Sequence, residues 1–188
     1  MSESAAHLLP FQLEWLRLFD EYAAEYPRED INVFRELAST ASDAAERSRA
    51  LGHLTGSAWL VSADGERVLL THHRKLGRWL QLGGHADGDV DLARTALREA
   101  EEESGLHDLA VEAAVFDLDC HRIPARGSEA EHWHYDVRFV VRARGSEAFA
   151  ISEESHALAW RNVREMLQDA TTDESMRRMA QKWLARIA

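Results

Sequence analysis

The stretch GHADGDVDLARTALREAEEESGL, residues 84–106, determines the fold and the chemistry expected of this chain, because it ends in an unusually acidic segment. Its last part, REAEEESG at Arg98–Gly105, places four glutamates within five positions. Like charges at helical spacing repel one another, so the segment loses stability unless a cation compensates. The stretch is therefore either a solvated acidic helix face or the ligand set of a metal ion.

The acidic segment is predicted to be a helix with one carboxylate face. At about 100° per residue, Glu99, Glu102 and Glu103 share a face, whereas Glu101 points into water. An adjoining face carries small or apolar residues that anchor the helix: Ala93, Ala96, Leu97 and Ala100. Arg98 lies four residues before Glu102, but such an exposed pair contributes only about 0.2–0.5 kcal/mol. A hard divalent cation such as Mg²⁺ or Mn²⁺ would compensate the crowding better.

A Gly-Gly pair before the helix favours the metal interpretation. The sequence RWLQLGGH predicts a short strand that ends at Gly83–Gly84. Glycine lets other groups approach the backbone closely, so a carbonyl at this turn could complete a metal shell. Gly105 is expected to end the helix in the left-handed conformation. A strand, a Gly-Gly turn, an Asp-rich loop and an acidic helix together form a specific constellation.

The rest of the chain predicts an α/β domain behind two helices. Pro27 separates two amphipathic segments, and Asp30 is a candidate cap for the second. Strands are expected on both sides of Asp64–Gly65, a hairpin signal, and at roughly 109–122 and 132–144. A final amphipathic helix carries Met176, Met179, Ala180, Trp183, Leu184 and Ile187. This order favours an α/β fold with an N-terminal helical extension.

Composition limits the classes of function. The chain has 188 residues, of which 45% are hydrophobic, enough for one domain with a core. A net charge of -11 disfavours passive binding to nucleic acids or anionic membranes. Cys120 is the only cysteine, so neither an internal disulfide nor a cysteine-rich zinc site is expected. No apolar run approaches membrane-spanning length and no signal peptide is visible, which predicts a cytoplasmic protein without a membrane partner.

The segment Gly84–Leu106 resembles the Nudix box, whose pattern is G-x5-E-x7-R-E-U-x-E-E-x-G-U with U a bulky apolar residue. The matching residues are Gly84, Arg98, Glu99, Glu102, Glu103, Gly105 and Leu106. Val90 stands where the pattern has Glu, and the flanking Asp89 and Asp91 are alternatives for that role. The resemblance implies a Nudix-type α/β/α sandwich with a mixed central sheet at 53–188, behind an N-terminal helical extension at 1–52.

The resemblance also implies a reaction and roles for residues. Nudix enzymes usually hydrolyse a pyrophosphate bond in a nucleoside diphosphate linked to another group X, with Mg²⁺ or Mn²⁺. Glu99, Glu103 and the Gly83 carbonyl are expected to bind the metal, Glu102 directly or through water. Arg98 is expected to orient a glutamate. The general base that accepts the proton of the attacking water is expected to be Glu154, with Glu153 or a residue within the box as the alternatives.

Several basic residues outside the box are candidate substrate contacts. In HWHYDVRF, alternation places His132, His134, Asp136 and Arg138 on one strand face, opposite Trp133, Tyr135, Val137 and Phe139, which are expected to be core. The polar face either meets phosphates or is simply solvated, and a zinc site of His121, His132 and His134 is a further alternative. Other candidates near the box are His85, Arg74 and Arg78.

Three functions remain open at the level of sequence. The leading one is a metal-dependent pyrophosphohydrolase acting on a small nucleoside diphosphate derivative, without stable nucleic-acid binding. The second is a Nudix-like module that binds a nucleotide or sugar nucleotide without turnover. The third is a diphosphate-ester isomerase, for which Cys120 is the one candidate catalytic cysteine. Homodimers are common among relatives, so a second copy is one candidate partner. The box does not identify the base or the group X.

Overall fold

The computed structural model describes residues 8–73, 77–127, 129–150 and 155–188. The helices are α1 (Pro10–Glu25), α2 (Asn32–Thr40), α3 (Leu92–Ser104), α4 (Val163–Met166) and α5 (Glu174–Arg186). The strands are β1 (Gly52–Val61), β2 (Arg67–His73), β3 (Arg78–Leu80), β4 (Leu82–His85), β5 (Leu109–Ile123), β6 (His132–Ala143) and β7 (Ser155–Asn162).

All seven strands belong to one mixed sheet. Its main path runs β3-β2-β1-β6-β5, while β4 pairs with β1 and β7 pairs with β2. Strands β1 and β6 are parallel, and the other pairs are antiparallel. Helices pack on both faces of this sheet, with α3 on one side and α5 on the other. The predicted α/β fold with a mixed central sheet is therefore confirmed.

Strand β1 lies at the centre and separates two cores. Its residues are buried along the whole strand because both faces are covered. Leu54, Ala58 and Leu60 point into the larger core under α1, α2 and α3. Trp59 and Val61 point into the smaller core under α4 and α5. Alternate residues of β1 thus face either the acidic helix or the C-terminal helix.

The N-terminal helices pack onto the sheet domain. Trp15, Phe19 and other aromatic residues of α1 lie in the same core as β1 and β6. The Trp15 Nε1 donates to the Val90 carbonyl at 2.9 Å, and the Gly88 backbone N–H donates to the Ala45 carbonyl at 2.9 Å. The apolar face of the first predicted amphipathic segment is therefore buried against the sheet domain. The hydrogen bond from Trp15 also holds the loop that leads into α3.

Two predictions about local structure are corrected. RWLQLGGH forms two strands instead of one, because β3 pairs with β2 whereas β4 pairs with β1. The N-cap position of α2 is Ile31 rather than Asp30, although the Asp30 carboxylate accepts the Asn32 N–H at 2.9 Å. The hairpin around Asp64–Gly65 is confirmed, and Gly65 has the positive φ of +74° that its turn requires.

The apolar face of β6 is core at Val137 and Phe139, as predicted, but not at its first residues. Trp133, expected in the core, is 41% exposed, because the first residues of β6 extend beyond the helices that cover the sheet. Tyr135 is only half-buried and packs edge-on against Phe34 with the ring centroids 5.7 Å apart. The opposite face is mostly buried, with His132, Asp136 and Arg138 among the least exposed polar residues. A solvated polar face is therefore excluded.

Candidate active site

Helix α3 is held at both ends and along one side. The Asp91 carboxylate accepts the Arg94 N–H at 3.0 Å and caps the first turn. Gly105 ends the helix with φ +66°, as predicted, and its N–H donates to the Glu101 carbonyl. The buried side comprises Leu92, Thr95, Ala96, Ala100 and Ser104. Because this side is packed on the sheet, the orientation of the acidic face is set by the core.

Each glycine of the Gly-Gly pair allows a different close approach. A Cβ on Gly83 would lie 2.2 Å from the Ser57 Oγ of β1. A Cβ on Gly84 would lie 2.5 Å from a carboxylate oxygen of Glu99 on α3. Both positions therefore exclude a side chain, and the second brings the first glutamate of the acidic face against the backbone of β4.

Arg98 connects the acidic face to the glycine strand. Its Nη1 lies 2.7 Å from Oε1 of Glu99 and 3.3 Å from Oε2 of Glu102. Its Nη2 donates to the His85 carbonyl at 2.9 Å. One guanidinium thus contacts two carboxylates and anchors them to the end of β4. This is the geometry expected of a residue that orients ligands without binding the metal itself.

The three glutamates of the predicted carboxylate face differ in exposure. The Glu99 side chain is only 13% exposed, Glu103 is half-buried, and Glu102 lies near the surface. Their ligand atoms are all carboxylate oxygens, which suit Mg²⁺ or Mn²⁺ better than softer ions. Glu101 is exposed, and no salt bridge within the described parts of the chain involves it. The donor set therefore fits the expected hard cation.

Comparison with known proteins settles the family. The family model described as NUDIX domain matches residues 53–183, more than half of the chain. The chain belongs to the Nudix family. Membership confirms the expectation of a pyrophosphate-cleaving hydrolase and leaves the cleaved compound to be identified. A search of curated proteins found no match.

Solved structures show the same Nudix fold at low sequence identity. The Escherichia coli dihydroneopterin triphosphate pyrophosphohydrolase has a TM-score of 0.58 and 15% identity, over 71% of this chain and 95% of that one. An Ap4A hydrolase binary complex from Caenorhabditis elegans has a TM-score of 0.56 and 16% identity, over 71% and 96%. The NUDIX domain of Shewanella oneidensis NrtR, complexed with ADP ribose, has a TM-score of 0.50 and 20% identity, over 88% and 98%.

Val90, where the sequence departs from the Nudix box pattern, lies in the loop before α3. Val90 is 41% exposed, and its carbonyl accepts the Trp15 N–H. Asp89 forms a two-pronged ion pair with Arg94, whose hydrogen bonds lower the pKa of the Asp89 carboxyl. Asp91 caps α3. Both flanking aspartates are thus engaged within the loop and the first turn of α3, and their substitution for the missing Glu stays a prediction.

Four histidines of this Nudix chain form a cluster on the face of the sheet opposite α3. His53, His85 and His134 have ring centroids 5.0–5.1 Å apart, and His132 lies 5.1 Å from both His53 and His134. Burial, and then the neighbouring Arg47, lowers the pKa of His85 to about 4. Burial and the neighbouring rings lower the pKa of His134 to about 2. Burial therefore favours the neutral rings of His85 and His134.

Sequence reasoning missed His53. It lies on β1, directly beside His134 in the parallel β1–β6 register. The predicted member His121 is instead half-exposed, with its Nδ1 3.1 Å from Asp119 Oδ2. Alternation along β1 was visible in the sequence, but the strand that lies beside β1 was not.

Arg138, predicted as a substrate contact, is enclosed by carboxylates. It is 2% exposed, and its guanidinium lies 2.7 Å from Asp136, 3.0 Å from Asp117 and 3.3 Å from Asp119. The buried Asp117 also pairs with two cations of α5, Arg178 and Lys182. The Arg138 guanidinium is therefore engaged within the protein and is not directed at a substrate, so the prediction for Arg138 is corrected to a structural role.

The other predicted substrate contacts lie in different places. His85 lies at the end of β4, and its carbonyl is bound by Arg98. Arg78 lies on β3 at a cleft that it shares with Trp79, Arg161 and Met176 and that includes no residue of α3. Arg78 is therefore separate from the acidic face. The remaining predicted residues lie outside the described residues: Arg74, Glu153 and Glu154.

One observation bears on the expected absence of a membrane partner. In the parts of the chain that the structure describes, no helix is both long and apolar enough to cross a bilayer.

Proposed function

We propose that this protein is a divalent-cation-dependent pyrophosphohydrolase whose substrate is a nucleoside diphosphate linked to another group X. The observation that carries the proposal is the Arg98 guanidinium, which contacts Glu99 and Glu102 while it binds the His85 carbonyl. This arrangement fixes carboxylates of α3 beside the Gly83–Gly84 strand, where a diphosphate and its counter-ion would meet them.

Glu99, Glu103, Glu102 and the Gly83 carbonyl would hold Mg²⁺ or Mn²⁺. Such an ion, when bound, supplies charge neutralisation at phosphate oxygens and a lowered pKa for bound water. The protein's own contribution is positional. Glu99 is pressed against Gly84, so its carboxylate has little freedom to rotate away. Arg98 holds the carboxylates of Glu99 and Glu102 close to β4.

The proton of the attacking water needs an acceptor near this face. We propose Glu154 for that role, with Glu153 as its natural comparison. A positioned general base typically contributes about 10²–10⁴-fold to the rate. His85 and Arg74 stay predictions as contacts to the phosphates or to X.

The test is a panel of nucleoside diphosphate derivatives, including dinucleoside polyphosphates, nucleotide sugars and ADP-ribose, with Mg²⁺ or Mn²⁺ and with product identification. We expect at least one compound to be cleaved at a pyrophosphate bond. Glu103→Gln and Glu102→Gln should lower kcat by at least about 100-fold, as should Glu154→Gln if it is the base. The matched controls are Glu101→Gln and Glu153→Gln, which should retain most of the activity.

The outcomes separate the competing assignments. Full activity in both Glu102→Gln and Glu103→Gln would contradict the proposed roles. The Val-for-Glu departure at Val90 keeps a binding module as the second candidate function. Calorimetry that shows tight nucleotide binding without hydrolysis of any compound in the panel would support that module over the enzyme.

A further inference from the structure

The strongest unexplained feature of the molecule is a group of three histidines outside the acidic face. His53 on β1 lies beside His134 on β6 in the parallel register, and His132 follows on the same face two residues away. One ring nitrogen from each lies within 4.8 Å of the others. Among the described residues, no other group of three His, Cys, Asp or Glu side chains meets that distance. The three carboxylates of α3 are thus spread more widely.

His53 shows that the protein alone does not satisfy this cluster. The residue is 1% exposed, and within the described parts of the chain neither of its ring nitrogens makes a hydrogen bond of good geometry. The Arg49 backbone lies near enough to favour the charged ring, but burial outweighs it and lowers the pKa of His53. The Nε2 of the adjacent His85 is likewise buried without a hydrogen-bond partner. A buried polar atom without a hydrogen bond is destabilising, so a ligand that binds these nitrogens would stabilise the fold.

The hydrogen bonds of His132 prepare it to be a ligand. Its Nδ1 lies 2.9 Å from the Ala130 carbonyl, which can only accept, so Nδ1 carries the proton. In the neutral ring the lone pair is then on Nε2, which faces the Nε2 of His134 at 3.2 Å. A carbonyl that orients the far nitrogen is the usual support for a metal-binding imidazole.

The spacing of these two nitrogens matches tetrahedral zinc. With Zn–N bonds of about 2.0–2.1 Å, the edge of the tetrahedron between two nitrogens is about 3.3–3.4 Å. The observed 3.2 Å between His132 Nε2 and His134 Nε2 is close to that edge. His53 lies slightly farther off and needs only a small side-chain movement to complete the triad.

We propose that His53, His132 and His134 form a binding site for a borderline transition-metal ion, Zn²⁺ in the first instance, separate from the carboxylate site of α3. Imidazole nitrogen suits Zn²⁺ and its neighbours in the transition series, whereas Mg²⁺ prefers oxygen. Three protein ligands leave a fourth position for water or another donor, and His85 lies beside the triad with its Nε2 uncommitted. The proposal does not depend on the proposed hydrolysis.

The site would tie together two neighbouring strands near the glycine turn. His53 and His134 are on β1 and β6, while His85 ends β4, which carries Gly83–Gly84. A metal bound here would therefore stabilise the strands that support the acidic helix. It would do so from the opposite face of the sheet, without sharing a ligand with the glutamates.

The test uses the full chain, stripped with a chelator and titrated with Zn²⁺ and Co²⁺. We expect one equivalent of Zn²⁺ to bind and to raise Tm, and Co²⁺ to give the visible bands of a tetrahedral site. X-ray absorption should show nitrogen neighbours at about 2.0–2.1 Å. His53→Gln and His134→Gln should each weaken Zn²⁺ binding by at least about 100-fold. That is more than the loss of a hydrogen bond to a metal ligand usually causes.

The control variants distinguish this site from its surroundings. His121→Gln alters a ring 5.7 Å from His134 that is engaged with Asp119, and it should bind Zn²⁺ normally. Glu99→Gln alters the carboxylate site and should also leave the histidine-bound equivalent intact. If a His53 variant fails to fold, the Co²⁺ spectrum and X-ray absorption of the unmodified protein still decide the matter. Coordination of the bound ion by oxygen alone, or an equal loss of Zn²⁺ binding in His121→Gln, would overturn the proposal.

Discussion

Two groups of three carboxylates lie in this molecule, and they are neutralised differently. On α3, the Arg98 guanidinium contacts Glu99 and Glu102 close to the surface, and Glu103 lies on the same helix face. Across the sheet lies the buried ion-pair network, whose carboxylates and cations are Asp117, Asp119, Asp136, Arg138, Arg178 and Lys182. Three carboxylates there meet three cations.

The difference separates a structural network from a site built for a ligand. Buried charges are tolerated only when they are paired and hydrogen-bonded, and the network meets that condition within the protein. On α3, by contrast, four glutamates and one arginine within Arg98–Glu103 concentrate negative charge at a half-open position. A divalent cation is the natural complement to such an excess. The comparison thus predicts that substitutions in the network affect folding, whereas substitutions near α3 affect activity.

The largest effect is expected from removing the central cation of the network. Arg138→Met leaves Asp117, Asp119 and Asp136 buried without their shared partner, which should reduce the free energy of unfolding by about 3–5 kcal/mol. Arg142→Met is the matched control on the same strand. Arg142 is 41% exposed and pairs with Glu112, so its loss should cost less than about 1 kcal/mol. Urea unfolding of both variants measures the difference, and equal destabilisation would contradict the assignment.

The network also predicts how stability depends on pH. Burial raises the pKa of Asp117. The hydrogen bond from Arg178 and the charges of Arg138 and Lys182 lower that pKa by more, so it lies below the ordinary value. Burial, and then the charge of Asp117, raises the pKa of the neighbouring Tyr22, which therefore stays protonated. The unfolded state thus binds a proton more readily than the folded state in acid.

The contribution of Asp117 to the free energy of unfolding is therefore fully present above the ordinary aspartate pKa of about 3.9. It is lost as the pH falls below that value. Urea unfolding between about pH 6 and pH 3 should show a steep decline for the unmodified protein. Asp117→Asn should be less stable near pH 7 and decline less steeply. Parallel curves for the two proteins would show that Asp117 contributes no such dependence.

A smaller effect, on activity and not on folding, is expected at the Gly-Gly pair. Gly84→Ala places a methyl group where the Glu99 carboxylate lies, so that carboxylate must move. Misplacing a catalytic group by about 1 Å can cost about 100-fold, so kcat should fall by about 10–100-fold. Gly145→Ala, whose new Cβ would approach Asp108 at 3.3 Å, is the control away from α3. Unchanged kcat in Gly84→Ala would argue against a role for Glu99.

The smallest effect is expected where the N-terminal helix holds the loop before α3. Trp15→Phe removes the N–H that donates to the Val90 carbonyl, and a hydrogen bond of this kind contributes about 0.5–1.5 kcal/mol. Trp133→Phe removes an exposed ring with no such bond among the described residues and should change the free energy of unfolding less. Denaturant titration compares them. A larger loss in Trp133→Phe would rule out this role for α1.

Local patterns in the sequence predicted the elements of the acidic site correctly. The helix that carries Glu99, Glu102 and Glu103, its end at Gly105 and the glycines before it all depend on interactions within a few residues. The outward direction of Glu101 and the reach of Arg98 to Glu102 follow from helix periodicity alone. Such features can be predicted because residues a few positions apart in a helix or turn are also neighbours in the structure.

Features that join distant segments were not readable in this way. Alternation placed Arg138 and His134 on one face of a strand, but it could not tell whether that face meets solvent, substrate or α5. The partnership of His53 with His134 depends on the parallel register of β1 and β6. The three cations and three carboxylates of the network likewise come together from β5, β6 and α5.

The sequence by itself determined the Nudix box, the family and the acidic face of α3, because these are set by periodicity, turn chemistry and short-range charge. Only the tertiary structure decided that Arg138 is enclosed, that Asp89 and Asp91 serve the loop, and that His53 completes a histidine triad. The physical reason is that burial and strand pairing are collective: which side chains share a dry interior depends on how all seven strands and their helices pack.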